Sequence, residues 1–463
     1  MHNTNKFKNK KILIWGLGIN DGGLAMAEYF AQKDAILKII DLRSEEILSK
    51  SIDKLKVFPN ISYSFGTHKE EDFLWADYIV KNLAIRQNNP FLIFAKKHNK
   101  QIITETGTFF EFADREVTGV TGTKGKTTTT AMINYLFQTA NLSTFSGGNN
   151  GNSIIRAVNN LSEYDQIVLE LGNLHLLDMA EQKKSPHISV ITNIGVDHID
   201  MHKDFEDYIN SKKLIYKFQN KSDFLIVNAD NEIINSFVDE ISNTKVIKVS
   251  TKNKLSNYFL DLKSEKLYEN GKLLLKFPKE RNVFGDHNLL NFSLAVAAVR
   301  IHNVSSENII KAIKTFKAPK GRQEFIKTIN EVDYYNDTCG TNAEAMKAML
   351  ERFKKSHKRK IILIAGGMDK LVDYSIINKL MDQNLKSLIL LEGTASPKIR
   401  HTVTNNKITV FDRYNDLKEA VVKAKNIATS GDIVILCPGA SSFNMFLNEF
   451  DRGEKFNNIV NNL

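Results

Sequence analysis

The densest chemistry in the chain lies in Val117-Thr118-Gly119-Val120-Thr121-Gly122-Thr123-Lys124-Gly125-Lys126-Thr127-Thr128-Thr129. A β-branched run enters a loop with three glycines, which ends in Gly125-Lys126-Thr127 and runs into the helical pattern Ala131–Phe137. Strand, glycine loop, Lys-Thr and helix form a phosphate cradle. Backbone N–H groups, unobstructed by side chains, wrap the anion at a helix N-terminus. Lys126 is expected on the β- and γ-phosphates of ATP, with Thr127 on Mg²⁺. Gly122, Thr123, Lys124, Gly125 and Thr128 complete the cradle. The spacing is TGTxGKT; the longer GxxxxGKT form would need glycine at Val120.

The surrounding pattern alternates strands and helices, which predicts an α/β protein. Lys11–Trp15 reads as a buried strand, followed by Gly16-Leu17-Gly18, Gly22-Gly23, a helix from near Leu24, and a second strand Ile36–Ile40 ending at Asp41. A dinucleotide site is the first reading of this βαβ unit. Its spacing is GxGxxxG, however, so a Rossmann-like domain for another nucleotide fits better. Tyr78–Val80 and Gln101–Thr104 continue that sheet. After the phosphate loop, Gln166–Glu170 and Ile188–Asn193 are strands whose ends carry Glu170 and lead to Asp197-His198. Such ends cluster beside a phosphate loop and could hold Mg²⁺. Residues 245–277 alternate in a β-rich manner around a turn at Asn270-Gly271, and an Ala-rich helix follows from about Leu289 to Arg300. A third αβ pattern begins beyond Pro319, with strands at Tyr334–Thr338, Ile361–Gly367, Leu388–Leu391 and Ile433–Leu436. Three domains are expected: 1–105 Rossmann-like, 106–318 a central P-loop-type ATPase, and 319–463 Rossmann-like. The connector Ala318-Pro319-Lys320-Gly321 is the expected hinge.

The 463 residues are 42% hydrophobic and 25% charged, as in ordinary globular proteins. The net charge of +10 comes from scattered lysines without interleaved aromatics, which favours anionic ligands and argues against nucleic acid. Cys339 and Cys437 have no metal-site spacing, so a reducing cytoplasm is expected. No apolar run is long enough to span a membrane.

Six motifs occur in order: GTKGKTT at the phosphate loop, Gly147-Gly148-Asn149, LEL around Glu170, TNxxxDHxD around His198, GxHNxxN from Gly285 to Asn291, and SSFxMF followed by Arg452-Gly453. Over nearly the whole chain they resemble the muramyl ligase family, which adds amino acids to the UDP-muramoyl peptide of bacterial peptidoglycan. The resemblance is nearest to its D-glutamate-adding branch. It implies an ATP- and Mg²⁺-dependent, ADP-forming amide ligase of cell-wall synthesis, acting as a cytoplasmic monomer. Its substrates would be UDP-N-acetylmuramoyl-L-alanine, or a related nucleotide-linked acid, and D-glutamate.

By the same resemblance Lys126, His198 and Lys212 are catalytic. Thr127, Glu170, His198 and a carbamylated Lys212 are metal ligands. The Y-x-x-x-K spacing from Tyr208 selects Lys212, with Lys213 its competitor. Asn288, Asn291, Arg322 and Asp337 would contact ATP. Gly18, Ile19, Asn20, Asp41, Arg43, Asn149 and His175 would contact the UDP substrate. Thr341, Lys370, Ser442 and Phe446 would hold the amino acid, with Ser442 opening a helix. The chain departs from the family at both substrate ends: a lysine becomes Cys339, an acid becomes Asn444, an SPG turn becomes Asn82-Leu83-Ala84, and a serine-rich stretch ending in glutamine becomes Gly172-Asn173-Leu174-His175. A ligase of this fold with another acceptor or amino acid is the alternative.

Overall fold

The computed structural model describes residues 4–195, 202–354 and 360–463. Three sheets follow one another along the chain. The first contains β1 (Lys11–Trp15), β2 (Ile36–Asp41), β3 (Ile61–Phe65), β4 (Tyr78–Lys81) and β5 (Gln101–Ile103), all parallel, in the order β3-β2-β1-β4-β5. Apolar residues cover both faces, with Ile12, Ile14 and Leu37 on one side and Leu13, Trp15 and Ile79 on the other. Burial on both faces is what a parallel sheet under helices requires. Strand β3 (ISYSF) escaped the sequence reading because it is an edge strand with exposed serine and tyrosine.

The second sheet contains β6 (Val117–Thr121), β7 (Thr144–Gly148), β8 (Gln166–Glu170), β9 (Ile188–Ile191), β10 (Phe224–Asn228), β11 (Lys245–Ser250), β12 (Tyr258–Asp261), β13 (Lys266–Glu269) and β14 (Lys272–Lys276). Its order is β14-β13-β12-β11-β10-β9-β6-β8-β7, parallel up to β12 and antiparallel beyond. The alternating stretch at 245–277 supplies four of these strands. Its tight turn is Asn270-Gly271, with φ of 47° and 78°, the left-handed pair that a two-residue hairpin needs.

The third sheet contains β15 (Glu324–Ile329), β16 (Val332–Asn336), β17 (Ile361–Gly366), β18 (Leu385–Leu391), β19 (Thr409–Tyr414) and β20 (Ile433–Leu436), in the order β15-β16-β20-β17-β18-β19. Only β15 runs antiparallel. Two compact units emerge. Residues 1–277 with 290–313 form one and carry the first two sheets; residues 278–289 with 314–463 form the other and carry the third.

Within the second unit, the Arg452-Gly453 motif has a packing role. The Arg452 guanidinium is fully buried and donates to Thr338 Oγ1 (3.0 Å), Thr338 O (2.9 Å) and Ala440 O (3.3 Å). Burial pushes its pKa down to about 10. A Cβ at Gly453 would lie 2.6 Å from Thr338 Cγ2, so the helix Glu449–Asn461 can seat against this strand end only with glycine there. Arg452→Met should leave buried carbonyls unpaired and cost about 2–4 kcal/mol. Denaturant titration of the purified variant checks this.

Candidate active site

Parallel order places the ends of β8, β6 and β9 side by side, and the phosphate loop leaves β6 between its two neighbours. The segment after β9 clamps that loop. Asn193 accepts the Lys124 N–H through Oδ1 (2.9 Å), donates to Lys124 O through Nδ2 (2.9 Å), and its carbonyl accepts the Thr123 N–H (2.8 Å). Thr192 Oγ1 also donates to Lys124 O (2.6 Å). Gly122 has φ of 145°, and a Cβ there would sit 2.0 Å from Thr192 Oγ1. The close approach of loop and strand end therefore demands glycine. Thr123 Oγ1 meets the Tyr208 hydroxyl at 2.8 Å.

Gly125, at φ of 83°, turns the loop into the helix Lys126–Thr139, whose first turn carries half-buried Thr127 and Thr128. Lys126 Nζ donates to Gly122 O (2.9 Å) and Thr123 O (3.0 Å), so its charge stays over the loop. Asn291 comes to the same loop, since a Cβ at Gly125 would lie 2.8 Å from its Oδ1. Asn288, one turn earlier on the helix Asp286–Arg300, belongs to the other compact unit and donates to Phe284 O (2.8 Å).

Beside the loop lies a cavity of about 530 Å³ lined by Lys126, Asn149, His175, Tyr208 and Lys212, among others. Lys212 is only 2% exposed; its ammonium donates to Thr121 Oγ1 (3.3 Å) and stands 5.3 Å from the Tyr208 ring centre. Lys213 instead lies over the Phe237 ring at 4.7 Å. Glu170, at the end of β8, is buried: Oε1 accepts from Asn149 Nδ2 (3.0 Å), while Oε2 has no hydrogen-bond partner among the described residues. His175 is held near pKa 4 by burial and then by the Lys212 charge, so its imidazole is neutral at physiological pH. His198 lies outside the described residues.

Composition and spacing had not singled out Asn173, His202 and Asp207, which line the same cavity. His202 Nδ1 donates to Asp207 (2.9 Å), leaving Nε2 to accept from Asn173 Nδ2 (2.7 Å). The altered stretch after Glu170 is thus tied into a hydrogen-bonded chain. No sequence signal marks that pairing, because Asn173 opens the helix Asn173–Glu181 and His202 lies in a separate loop.

A second cavity, of about 1100 Å³, lies at the carboxyl ends of β1 and β4, where the strand order of the first sheet reverses. Gly18, Ile19, Asn20, Asp41 and Arg43 all line it. Asp41 accepts from Gly18 N–H (2.8 Å), Arg43 N–H (2.9 Å) and the Arg43 guanidinium (3.2 Å), so it shapes the turn as well as facing the cavity. Asn82 repairs the lost SPG turn: Oδ1 accepts the Ala84 N–H (3.0 Å) and Nδ2 donates to Gly16 O (3.0 Å).

In the second unit, Lys370 Nζ lies 3.5 Å from Thr341 Oγ1, so these two come together. Asp337 is buried. Burial first, opposed by the Cys437 thiol and the Gln323 N–H, lifts its pKa to about 7. One expectation differs. Ser442 opens no helix; its carbonyl accepts the Met445 and Phe446 N–H groups in a turn, and the helix starts only at Glu449, capped by Asn448. Phe446 packs on the core with Met445 and lines a separate hollow with Lys455, because its ring finds apolar cover there.

Family models match most of the chain: the MurD-like N-terminal domain of Mur ligases at residues 10–104, the Mur ligase middle domain at 120–299, and the Mur ligase glutamate ligase domain at 321–440. The chain belongs to the Mur ligase family. A UDP-N-acetylmuramoylalanine–D-glutamate ligase of a Roseiflexus species is 33% identical over 97% of this chain and 98% of its own length. A Borreliella burgdorferi protein of the same name is 34% identical, with 99% of each chain covered. Among solved structures, the UDP-N-acetylmuramate-alanine ligase MurC of Thermotoga maritima shares the fold with a TM-score of 0.68 at 18% identity, covering 98% of this chain and 99% of that one.

Gly122→Ala should strain the loop by about 1–3 kcal/mol and weaken binding of a non-hydrolysable ATP analogue by roughly tenfold or more. Calorimetric titration against the unchanged protein checks this, with the thermal melting curve as the folding control.

Proposed function

We propose that this protein is an ATP-dependent ligase that joins D-glutamate to UDP-N-acetylmuramoyl-L-alanine and releases ADP and phosphate. The observation that carries the reading is that Lys126, its ammonium held over the glycine loop, lines the cavity beside that loop. Two anions, a carboxylate and a triphosphate, must meet for this reaction, and preorganised cations lower that barrier. The full-length similarity to relatives bearing the D-glutamate ligase name supports the choice of substrates.

In this reading residues 1–105 take the uridine nucleotide, 106–318 take ATP, and 319–463 bring the amino acid. The acceptor carboxylate attacks the γ-phosphorus, the bond to ADP breaks, and an acyl phosphate forms. The incoming amine then attacks the acyl carbon and phosphate leaves. Lys126 holds the γ-phosphate, Asn291 faces the nucleotide, and Asn149 and His175 orient the acceptor. Arg322, Asp337, Thr341 and Lys370 serve ATP and the amino acid from the C-terminal domain. The donor set suits Mg²⁺. The buried Oε2 of Glu170, without a hydrogen-bond partner among the described residues, is a hard anionic oxygen, and Thr127 supplies a hydroxyl at the helix start. Bound there, Mg²⁺ would neutralise phosphate charge. His198 and a carbamylated Lys212 would complete the set. Among the described residues no helix is long and apolar enough to cross a membrane.

Phosphate release with ATP and UDP-N-acetylmuramoyl-L-alanine, measured across a panel of amino acids, tests the reading. D-glutamate should support the fastest turnover; a faster neutral amino acid would overturn it. Lys126→Ala should lower that turnover by about 10²-fold or more while the fold persists.

Lys212→Ala should regain part of its activity when a short carboxylic acid is supplied, and the unchanged protein should carry an added mass of carbon dioxide on Lys212. An active, Mg²⁺-loaded enzyme with an unmodified Lys212 would rule the carbamate out.

A further inference from the structure

The first two sheets meet along a seam of charges that the proposed chemistry leaves unused. The helix Asp21–Ala31 begins at the large cavity of the first sheet, where Asn20, Gly22 and Gly23 line the wall. Glu105 lines the same cavity, and a Cβ on Gly22 would lie 3.1 Å from its Oε2. Glu105 therefore stands where an anionic nucleotide would enter, and Asp21, the first residue of that helix, lies between the lining residues Asn20 and Gly22.

Both are met by one short segment of the second sheet's connections. Ser153 donates its hydroxyl to Glu105 Oε1 and its N–H to Asp21 Oδ2 (3.1 Å). The Ile154 N–H donates to Glu105 Oε1 (2.7 Å). Arg156 forks onto Asp21, with Nε to Oδ2 at 2.6 Å and the terminal nitrogen to Oδ1 at 2.5 Å, and reaches Glu28 at 3.0 Å. Ile155 is buried in the core of the first sheet, so the segment is seated there by packing as well. Burial opposes ionisation of Asp21, yet Arg156 and the Ser153 N–H hold its carboxyl below the usual range. Burial raises that of Glu105.

The segment continues directly from the Gly147-Gly148-Asn149 loop. The Gly148 N–H bonds to Asn152 O (2.8 Å), and Asn149 bonds to Glu170 through its own N–H (2.9 Å) and through Nδ2 (3.0 Å). Ser153 thus lies four residues from the side chain that orients Glu170.

We propose that Ser153 and Arg156 are positioning residues, Arg156 offsetting the Asp21 charge and Ser153 tying Glu105 to the Asn149 loop, so that the first-sheet cavity takes a diphosphate-bearing ligand tightly only when that loop is docked. This rests on the reading of that cavity as the uridine-nucleotide site. Thermodynamic reciprocity follows: a nucleotide that favours the docked segment also favours the placement of Asn149 against Glu170. A nucleotide-linked acceptor would then order the site for its own activation.

The test is calorimetric binding of UDP to the full-length protein, with steady-state kinetics alongside. Arg156→Ala should leave the Asp21 charge uncompensated and weaken UDP binding by about tenfold, in the range of a lost charge-assisted contact. The double variant Asp21→Asn with Arg156→Ala should regain affinity to within about threefold of the unchanged protein, because the repelling charge is gone. The kcat of Arg156→Ala should fall with the KM for ATP held within about twofold, since the phosphate loop is untouched. If Arg156→Ala binds UDP normally, or the double variant is no better than the single one, the inference is overturned. Should Arg156→Ala fail to fold, Arg156→Gln, which keeps hydrogen bonding without the charge, gives the same comparison, with rescue by Asp21→Asn. An unchanged protein that turns over the acceptor but shows no such charge dependence loses only this inference. One that binds no uridine nucleotide loses the nucleotide reading and the inference together.

Discussion

The constraint on which the site depends is the distance between the glycine loop and the end of β9. Thr192 and Asn193 press against the loop backbone so closely that a single methyl group at Gly122 has no room. That contact sets where the loop amides point, and with them the Lys126 ammonium and the first turn of the helix behind it. A parallel sheet is what makes the contact possible. It brings the carboxyl ends of β8, β6 and β9 to one edge, so an acid, a phosphate cradle and a clamping amide arrive together from distant parts of the chain.

Charge management follows from that arrangement. Lys126 sits over loop carbonyls, and Lys212 is nearly buried against Thr121 and Tyr208. Burial, and after it the Lys212 charge, keeps His175 neutral, so the cavity offers the Lys126 cation to anionic substrates and a neutral imidazole to polar ones. Glu170 is the one acid at this edge with a buried oxygen left without a hydrogen-bond partner among the described residues at that strand end. Burying such an atom is costly unless something coordinates it.

The departures from the family pattern have different physical standing. Asn82 holds its turn through its own side chain, accepting the Ala84 N–H and donating to Gly16 O. Asn173 joins a chain through His202 to Asp207. Cys339 is partly buried near Gly321, and burial pushes its thiol up to about 11, so it stays protonated and uncharged where the family carries a lysine. Asn444 donates to Glu392 O at 2.5 Å and thereby fastens its turn.

The sequence by itself determined the α/β class, most strands of the three sheets, the phosphate loop and the family. These depend on local signals: apolar runs long enough for buried strands, glycines where left-handed backbone is needed, and motif order along one chain. It could not show β3 or β15, since edge strands keep polar residues and lose the apolar run that marks their neighbours. Nor could it choose physically between Lys212 and Lys213. Adjacent helix positions differ by about 100° in direction, and only the packed helix turns the first into the cavity and the second onto Phe237. The packing of Phe446 on the core, the inward turn of Asp337 and the seam joining Asp21 and Glu105 to Ser153 and Arg156 were likewise decided by tertiary structure. Each depends on which side chains from separate elements fill the same volume, and spacing along a chain carries no record of that.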